Sequence, residues 1–169
     1  MPIIRPYRDK HPKIHPSAFI AEDAVIIGDV EIGEEASVWY GCILRGDVGD
    51  IKIGARSNVQ DQTMIHCTHN FKGTHVGDDV TIGHTAILHA CDINSGGFVG
   101  MGATILDGTV VENKGMVAAG ALVTSPKIVK SGELWAGSPA KLMRALTDKD
   151  YEHIAWNSAH YVRLSREYL

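Results

Sequence analysis

The sequence has 169 residues, a formal net charge of −4 at pH 7, 44% hydrophobic residues and 21% charged residues. These values are ordinary for one globular domain and exclude a disordered chain. The mild acidity, the lack of a basic cluster and the lack of any apolar run near ~20 residues argue against nucleic acid and membranes as partners and favour a cytoplasmic protein.

In chain order, residues 1–13 are expected to form an N-terminal cap, and branched apolar residues then recur every six residues over residues 14–124. An amphipathic helix cannot produce this pattern, because its apolar stripe recurs every three and four residues. The repeated positions are Ile14, Ile20, Ile26, Ile32, Val38, Leu44, Ile53, Val59, Ile65, Val76, Ile82, Leu88, Ile93, Val99, Ile105, Val111, Val117 and Val123.

A six-residue strand-and-turn unit that buries one branched residue each time is typical of a hexapeptide parallel β-helix. Three units close one triangular coil, so the eighteen repeats predict an all-β solenoid of about six triangular coils. Successive coils should stack ~4.8 Å apart. Glycine and other small residues follow many repeats and suit the corners, where the backbone turns sharply.

Two insertions interrupt the repeat. The step from Leu44 to Ile53 is nine residues, and the step from Ile65 to Val76 is eleven. Insertions in a solenoid project as loops on one flank, which is often the functional one.

After residue 124 the periodicity is expected to end, and residues 125–146 should form an extended connection. Thr147 with Asp150 resembles a capping box, and a helical apolar stripe comes after it. The pattern predicts a helix over residues 147–168 that packs on the solenoid, within a single domain of residues 1–169.

Polar residues fall into two predicted stacks when the repeats are assigned to three faces in rotation. Arg45, His66 and His89 each come directly after a repeat on the same face, so they should form an outward column about 4.8 Å apart. Asp61 and His84 each lie two residues after a repeat on the preceding face, and should stack in adjacent coils. Polar side chains are therefore expected to converge on one edge of the solenoid.

Two stacked histidines, His66 and His89, are suitably placed to bind one metal ion. The ring of His84 should diverge from them within one chain, so a second chain would supply the third ligand and make a cyclic trimer. Three neutral histidines with an open fourth position are typical of catalytic zinc, which supplies hydroxide at neutral pH. A site in which His69 or His75 replaces one ligand is an alternative.

Three strings then show a family resemblance: GCILRGDVGDIKIGARSNVQDQTMIH, VGDDVTIGHTAILHACDI and ELWAGSPAKLMR. Together with the repeat, they resemble the gamma-class carbonic anhydrases over nearly the whole chain. The resemblance implies a left-handed parallel β-helix and a homotrimer with zinc, or iron or cobalt, at each subunit boundary. It also implies reversible hydration of CO2 to bicarbonate.

The resemblance assigns the metal ligands and one further residue. It implies that His66 and His89 come from one subunit and His84 from its neighbour. It also implies that Gln60 hydrogen-bonds the hydroxide or bicarbonate, because an amide can both donate and accept.

The resemblance also assigns three charged residues around the metal. Arg45 and Asp47 match an intersubunit ion pair, and the arginine would also steer bicarbonate. Asp61 matches a supporting acid. Tyr161 is expected either to form a polar wall of the site or to pack on the solenoid as an ordinary helix residue.

The sequence differs from the archaeal members of that family at the residues that carry protons away from the site. Val48 stands where a glutamate is expected, and the inserted loop from Cys67 to His75 contains no acid. His69 or His75 is a possible substitute. Two other functions therefore remain open: an acyl-CoA thioesterase or acyltransferase, and a weakly active or noncatalytic metal-binding scaffold. Cys67 is kept as a weak site candidate.

Overall fold

The computed structural model describes residues 1–169. One helix, α1 (Asp148–Arg166), comes after twenty strands. In chain order the strands are β1 (Ile3–Arg5), β2 (Lys13–Ile14), β3 (Phe19–Ile20), β4 (Val25–Ile32), β5 (Ser37–Val38), β6 (Ile43–Ile53), β7 (Asn58–Val59), β8 (Met64–His66), β9 (Thr74–Val76), β10 (Thr81–Ile82), β11 (Ile87–His89), β12 (Asp92–Ile93), β13 (Phe98–Val99), β14 (Thr104–Ile105), β15 (Val110–Val111), β16 (Met116–Val117), β17 (Leu122–Val123), β18 (Ile128–Val129), β19 (Glu133–Gly137) and β20 (Ala140–Ala145).

The strands form the three faces of a parallel β-solenoid, as the repeat predicts. We call them the bare face (β1, the first parts of β4 and β6, β8, β11, β14, β17), the polar face (β2, the second parts of β4 and β6, β9, β12, β15, β18) and the covered face (β3, β5, β7, β10, β13, β16, β19). Repeat positions pair with repeat positions; Leu88, for example, lies between Ile65 and Ile105. Apart from Ile14 and Ile20, which are partly buried at the start of the solenoid, the inward repeat side chains are buried and form one continuous core.

The solenoid has seven turns rather than the expected six, because β1, within the segment expected to be a cap, already pairs in parallel with β4, and because the repeat continues past Val123. Val129 and Trp135 keep the six-residue spacing and pair in parallel with the preceding coil. The expectation of an extended connection over residues 125–146 is therefore wrong for much of that segment. Pro126, two lysines and a final tryptophan obscure the pattern of branched residues. The last strand, β20, then folds back antiparallel on β19.

The outward residues give each face a different environment. On the bare face they are mostly apolar and partly exposed: Val25, Ile43, Met64, Ile87, Thr104 and Leu122. On the polar face they are mostly charged or polar: Lys13, Glu31, Lys52, His75, Asp92, Val110 and Ile128. On the covered face, helix α1 packs against β5, β7 and β10. The bare face is thus the one apolar face that the chain leaves uncovered.

Helix α1 begins after Thr147, where the sequence places the capping box. The backbone N–H of Thr147 donates to Asp150 Oδ2 at 2.6 Å, so the side chain of Asp150 caps the first turn of the helix. Ile154 and Ser158 are buried against the solenoid. The hydroxyl of Ser158 donates to the backbone carbonyl of Arg56 at 3.1 Å, which fixes the helix across a corner. No part of the helix is long and apolar enough to span a membrane.

Close packing between coils explains one glycine beside the first insertion. Gly28 has a φ of +80°, and a Cβ there would lie 2.2 Å from the carbonyl oxygen of Gly46 in the next coil. Such a contact excludes any side chain. At several corners, however, residues such as Arg56 and Asp79 adopt positive φ. Glycine is therefore not needed at every corner.

Candidate functional site

Two edges flank the bare face, and each carries candidate residues. The paired-histidine edge lies between the bare and polar faces and carries Arg45, Asp47, His66 and His89. The single-histidine edge lies between the covered and bare faces and carries Gln60, Asp61, His84 and Tyr161. Each edge is built by residues at equivalent positions in successive coils, because parallel pairing places them above one another.

The two histidines of the paired-histidine edge face each other. His66 and His89 are register partners in β8 and β11, and His66 Nδ1 lies 3.2 Å from His89 Nε2. The far nitrogen of each ring meets a carboxylate. His66 Nε2 lies 2.9 Å from Asp47 Oδ1, and His89 Nδ1 lies 2.7 Å from Asp107 Oδ1. Asp107 also accepts a hydrogen bond from the hydroxyl of Thr68.

This arrangement assigns the tautomers of the two rings. A carboxylate accepts the proton of each far nitrogen, so His66 and His89 turn lone pairs toward each other. Two ligands of a tetrahedral zinc ion with bonds of roughly 2.0–2.1 Å lie about 3.3 Å apart. The donor chemistry of the pair and its spacing of 3.2 Å therefore fit two ligands of one metal ion.

Asp47 connects this pair to Arg45. Arg45 Nη1 donates to Asp47 Oδ2 at 2.5 Å, while the other carboxylate oxygen bonds His66. Desolvation raises the pKa of Asp47, but the hydrogen bonds from His66 and Arg45 outweigh it and hold the pKa below its ordinary value. Asp47 therefore stays ionised and holds both the Arg45 guanidinium and the His66 ring in place by hydrogen bonds.

The single-histidine edge has one outward imidazole. His84 Nδ1 lies 2.8 Å from Asp61 Oδ2, which leaves His84 Nε2 without a partner in the chain. The two residues are stacked in adjacent coils, as the assignment of faces predicts. His84 can thus offer one lone pair, with its tautomer fixed by a carboxylate.

Gln60 is buried beside His84 and is held at both ends of its amide. Its Oε1 accepts from the backbone N–H of His84 at 3.2 Å, and its Nε2 donates to Asn58 Oδ1 at 3.0 Å. An amide nitrogen has two protons, so one N–H of Gln60 remains for a ligand. Asn58 lies inside strand β7 rather than at a corner, and its amide orients Gln60.

Tyr161 of helix α1 is half-buried at the same edge. Its ring packs edge-on against Trp39 with centroids 5.4 Å apart, and it lines a cavity of about 580 Å³ with Gln60 and His84. Burial, and to a smaller extent the charge of Asp61, raises the pKa of its phenol. Tyr161 thus stays protonated; it packs on the solenoid and also borders the cavity beside Gln60 and His84.

The two edges remain separate within one chain, so the expectation that the polar side chains converge on one edge is wrong. The cavity that Gln60, His84 and Tyr161 line does not include His66 or His89. No group of three or more His, Cys, Asp or Glu side chains in the chain is placed to hold a metal ion. The three candidate ligands His66, His84 and His89 are therefore not brought together within one chain.

Sequence reasoning missed Asp107, Thr68 and the role of Asn58. A signal for Asp107 was present, because it lies two residues after the repeat at Ile105, the same offset that identified Asp61. Thr68 has no such signal, since it lies in the inserted loop, whose path the repeat does not determine.

The remaining candidates lie around the paired-histidine edge. His75 is on the polar face, where its nitrogens lie 3.0 Å from Asp50 and 3.4 Å from Asp92. His69 is exposed and lines a cleft of about 670 Å³ that also contains Asp47. Cys67 is buried, and burial raises the pKa of its thiol to about 11. A buried thiol with a raised pKa is a packing group rather than a nucleophile.

Comparison with characterised sequences gives two informative relatives. No protein-family model matches the chain. It is 47% identical over 163 residues to Gamma carbonic anhydrase 2, mitochondrial, of Arabidopsis thaliana, covering 94% of this chain and 59% of that protein. It is 39% identical over 166 residues to a protein of Geobacillus kaustophilus named Carbonic anhydrase, covering 98% of this chain and 91% of that protein. The chain thus spans nearly all of the second relative but less than two thirds of the first.

A solved structure matches the whole fold. The hexapeptide transferase family protein of Anaplasma phagocytophilum superposes with a TM-score of 0.95 at 48% sequence identity, covering 99% of this chain and 98% of that one. The hexapeptide solenoid with its C-terminal helix is therefore shared along the full length.

Proposed function

Because the chain belongs to the gamma carbonic anhydrase family, we propose that it catalyses the reversible hydration of CO2 to bicarbonate at zinc sites between the subunits of a homotrimer. The facing nitrogens of His66 and His89, 3.2 Å apart with a carboxylate behind each ring, carry this proposal. A surface histidine without a function needs no carboxylate that fixes its tautomer.

The bare face supplies the argument for the trimer. It is apolar and uncovered, whereas helix α1 covers a second face and charged residues cover the third. An uncovered apolar surface of this kind is typical of an interface. Its two edges carry complementary sets of ligands, so a cyclic arrangement that turns this face toward the symmetry axis joins the paired-histidine edge of each chain to the single-histidine edge of the next.

The metal would be held by His66 and His89 of one chain and His84 of its neighbour. Zinc held by three neutral imidazoles makes hydroxide available near neutral pH, which suits attack on the carbon of CO2. Iron or cobalt also accepts imidazole ligands, so the same residues would hold either.

Three further residues would position the reactants. The free N–H of Gln60 donates to the attacking or product oxygen, and its direction is fixed by Asn58. Arg45, held by Asp47 at 2.5 Å, adds a positive charge that favours the bicarbonate anion. The hydroxyl of Tyr161 borders the cavity beside Gln60.

The decisive experiment combines chains that each lack one edge. His66→Ala chains keep the single-histidine edge, and His84→Ala chains keep the paired-histidine edge. We expect each variant alone to lose its metal after dialysis against a chelator. Mixed trimers, isolated with two affinity tags, should hold one metal each, because one interface in every mixed trimer joins two intact edges. The unaltered protein should hold three per trimer and catalyse ¹⁸O exchange from labelled CO2.

Two outcomes would overturn the proposal. Mixed trimers without metal would exclude a site shared between chains. Unaltered trimers that hold metal but catalyse no ¹⁸O exchange would indicate a noncatalytic scaffold.

An acyl-transfer function has one observation in its favour. His84 is paired with Asp61 at 2.8 Å, an arrangement that also suits a general base. Assay of the metal-free protein with acyl-CoA separates the two functions, because an acyltransferase of this kind would turn over without metal. We expect no turnover.

A further inference from the structure

Both carboxylate oxygens of Asp107 form hydrogen bonds at the paired-histidine edge. Oδ1 lies 2.7 Å from His89 Nδ1, and Oδ2 accepts from the hydroxyl of Thr68. Thr68 Oγ1 also lies 3.4 Å from His89 Nδ1, so the three side chains form a closed triangle. Thr68, His89 and Asp107 come from three successive coils. The triangle therefore joins the inserted loop, the histidine and the next corner.

The triangle determines which nitrogen of His89 carries the proton. A carboxylate can only accept, so the proton of the neutral ring lies on Nδ1 and the lone pair on Nε2. Nε2 is the nitrogen that faces His66 at 3.2 Å. Without the carboxylate, the ring would be free to rotate and to exchange tautomers.

We propose that Asp107 is the positioning residue that holds His89 in the orientation and tautomer needed for metal binding, and that Thr68 locks Asp107 in place. This inference rests on the proposed function for its purpose, but its geometry lies within one chain. Because Thr68 lies in the inserted loop, the loop takes part in the proposed metal site although it supplies no ligand.

Metal affinity is the first test. Removing a carboxylate behind a ligating histidine typically weakens metal binding 10–100-fold. We expect Asp107→Ala and Asp107→Asn to weaken Zn²⁺ binding within about that range, measured by competition with a chromophoric chelator. Thr68→Val should weaken binding less, and Thr68→Ser should restore it. Asp79→Asn is the matched control, because Asp79 pairs with Arg56 at another corner and touches neither histidine.

The tautomer of His89 is the second test and needs no metal. In the metal-free protein at pH 8, ¹⁵N NMR should show His89 protonated on Nδ1. Asp107→Ala should move the ring toward protonation on Nε2, while Asp79→Asn should leave it unchanged. A merely structural role for Asp107 would not change this signal. Circular dichroism verifies that each variant is folded. If the alanine variant is not folded, Asp107→Asn replaces it in the NMR measurement.

The results separate this inference from the proposed function. An unaltered protein that binds no metal contradicts the proposed function, and the NMR result still decides the role of Asp107. Unaltered protein that binds metal, with Asp107 variants of equal affinity and unchanged tautomer, overturns the role of Asp107 alone.

Discussion

The paired-histidine edge and the single-histidine edge both pair imidazoles with carboxylates, but they differ in the number of histidines. In both, a carboxylate fixes the imidazole. At the first edge the column of equivalent positions contains two histidines in adjacent coils, so two nitrogens converge. At the second edge the coils on either side of His84 place Asp61 and Met101 in the column. A solenoid brings together residues along its axis but keeps its corners apart, so the proposed site takes its third ligand from another chain.

The largest expected effect comes from separating the two edges. Ile87 is 42% exposed at the centre of the bare face. Ile87→Asp should convert the trimer to a monomer at micromolar concentration, because each interface would bury unpaired charge. Bound metal should fall at least about tenfold, since no chain holds three ligands alone. Analytical ultracentrifugation and metal analysis measure both effects.

Ile128→Asp is the control for that variant. Ile128 is 53% exposed, but on the polar face. It should leave the trimer and its metal unchanged. A stable trimer of the Ile87→Asp variant would mean that another face forms the interface.

The second prediction concerns the single-histidine edge alone. Gln60→Ala removes a fixed donor but no ligand, so kcat/KM for CO2 hydration should fall about 10²-fold with full metal content. Stopped-flow kinetics and metal analysis measure the two quantities. Gln62→Ala makes the same change at an exposed position and should have no effect. Loss of metal in Gln60→Ala would show that the amide supports the ligands rather than the reactants.

A smaller effect is expected at the outer wall of that edge. Tyr161→Phe keeps the packing against Trp39 and removes only the hydroxyl. Activity should fall less than about tenfold, because the hydroxyl borders the cavity without a fixed hydrogen bond to the histidine. Tyr168→Phe is the control, since that ring also packs on Trp39, with centroids 5.3 Å apart. An equal loss in both variants would indicate a change in packing.

The smallest effect is expected for the cysteines, which lie inside the coils behind both edges. Burial raises the pKa of Cys42 to about 12 and that of Cys67 to about 11. At pH 8 less than about one thiol in a hundred is then ionised, so a thiol reagent should label neither residue in the folded protein. Both should react after denaturation. Rapid labelling of Cys67 in the folded protein, together with loss of metal, would identify Cys67 as part of the metal site.

Several features could be predicted from the sequence because they depend on the repeat. The six-residue spacing determines which residues point inward, which share a face and which stack. His66 over His89 and Asp61 over His84 are obtained from counting alone. Counting failed where the repeat was obscured, as at Val129, and where a side chain acts across coils from an unexpected position, as at Asn58 and Asp107.

By itself, the sequence determined the solenoid, its inward residues and the histidine columns, because parallel pairing converts a fixed spacing into vertical stacks. Only the tertiary structure decided which of the three faces is bare, since that depends on where helix α1 packs. It also decided the tautomers of His66, His84 and His89, because their carboxylate partners come from other coils. The distinction is physical: a repeat sets positions along the axis, and side-chain contacts between coils set the chemistry.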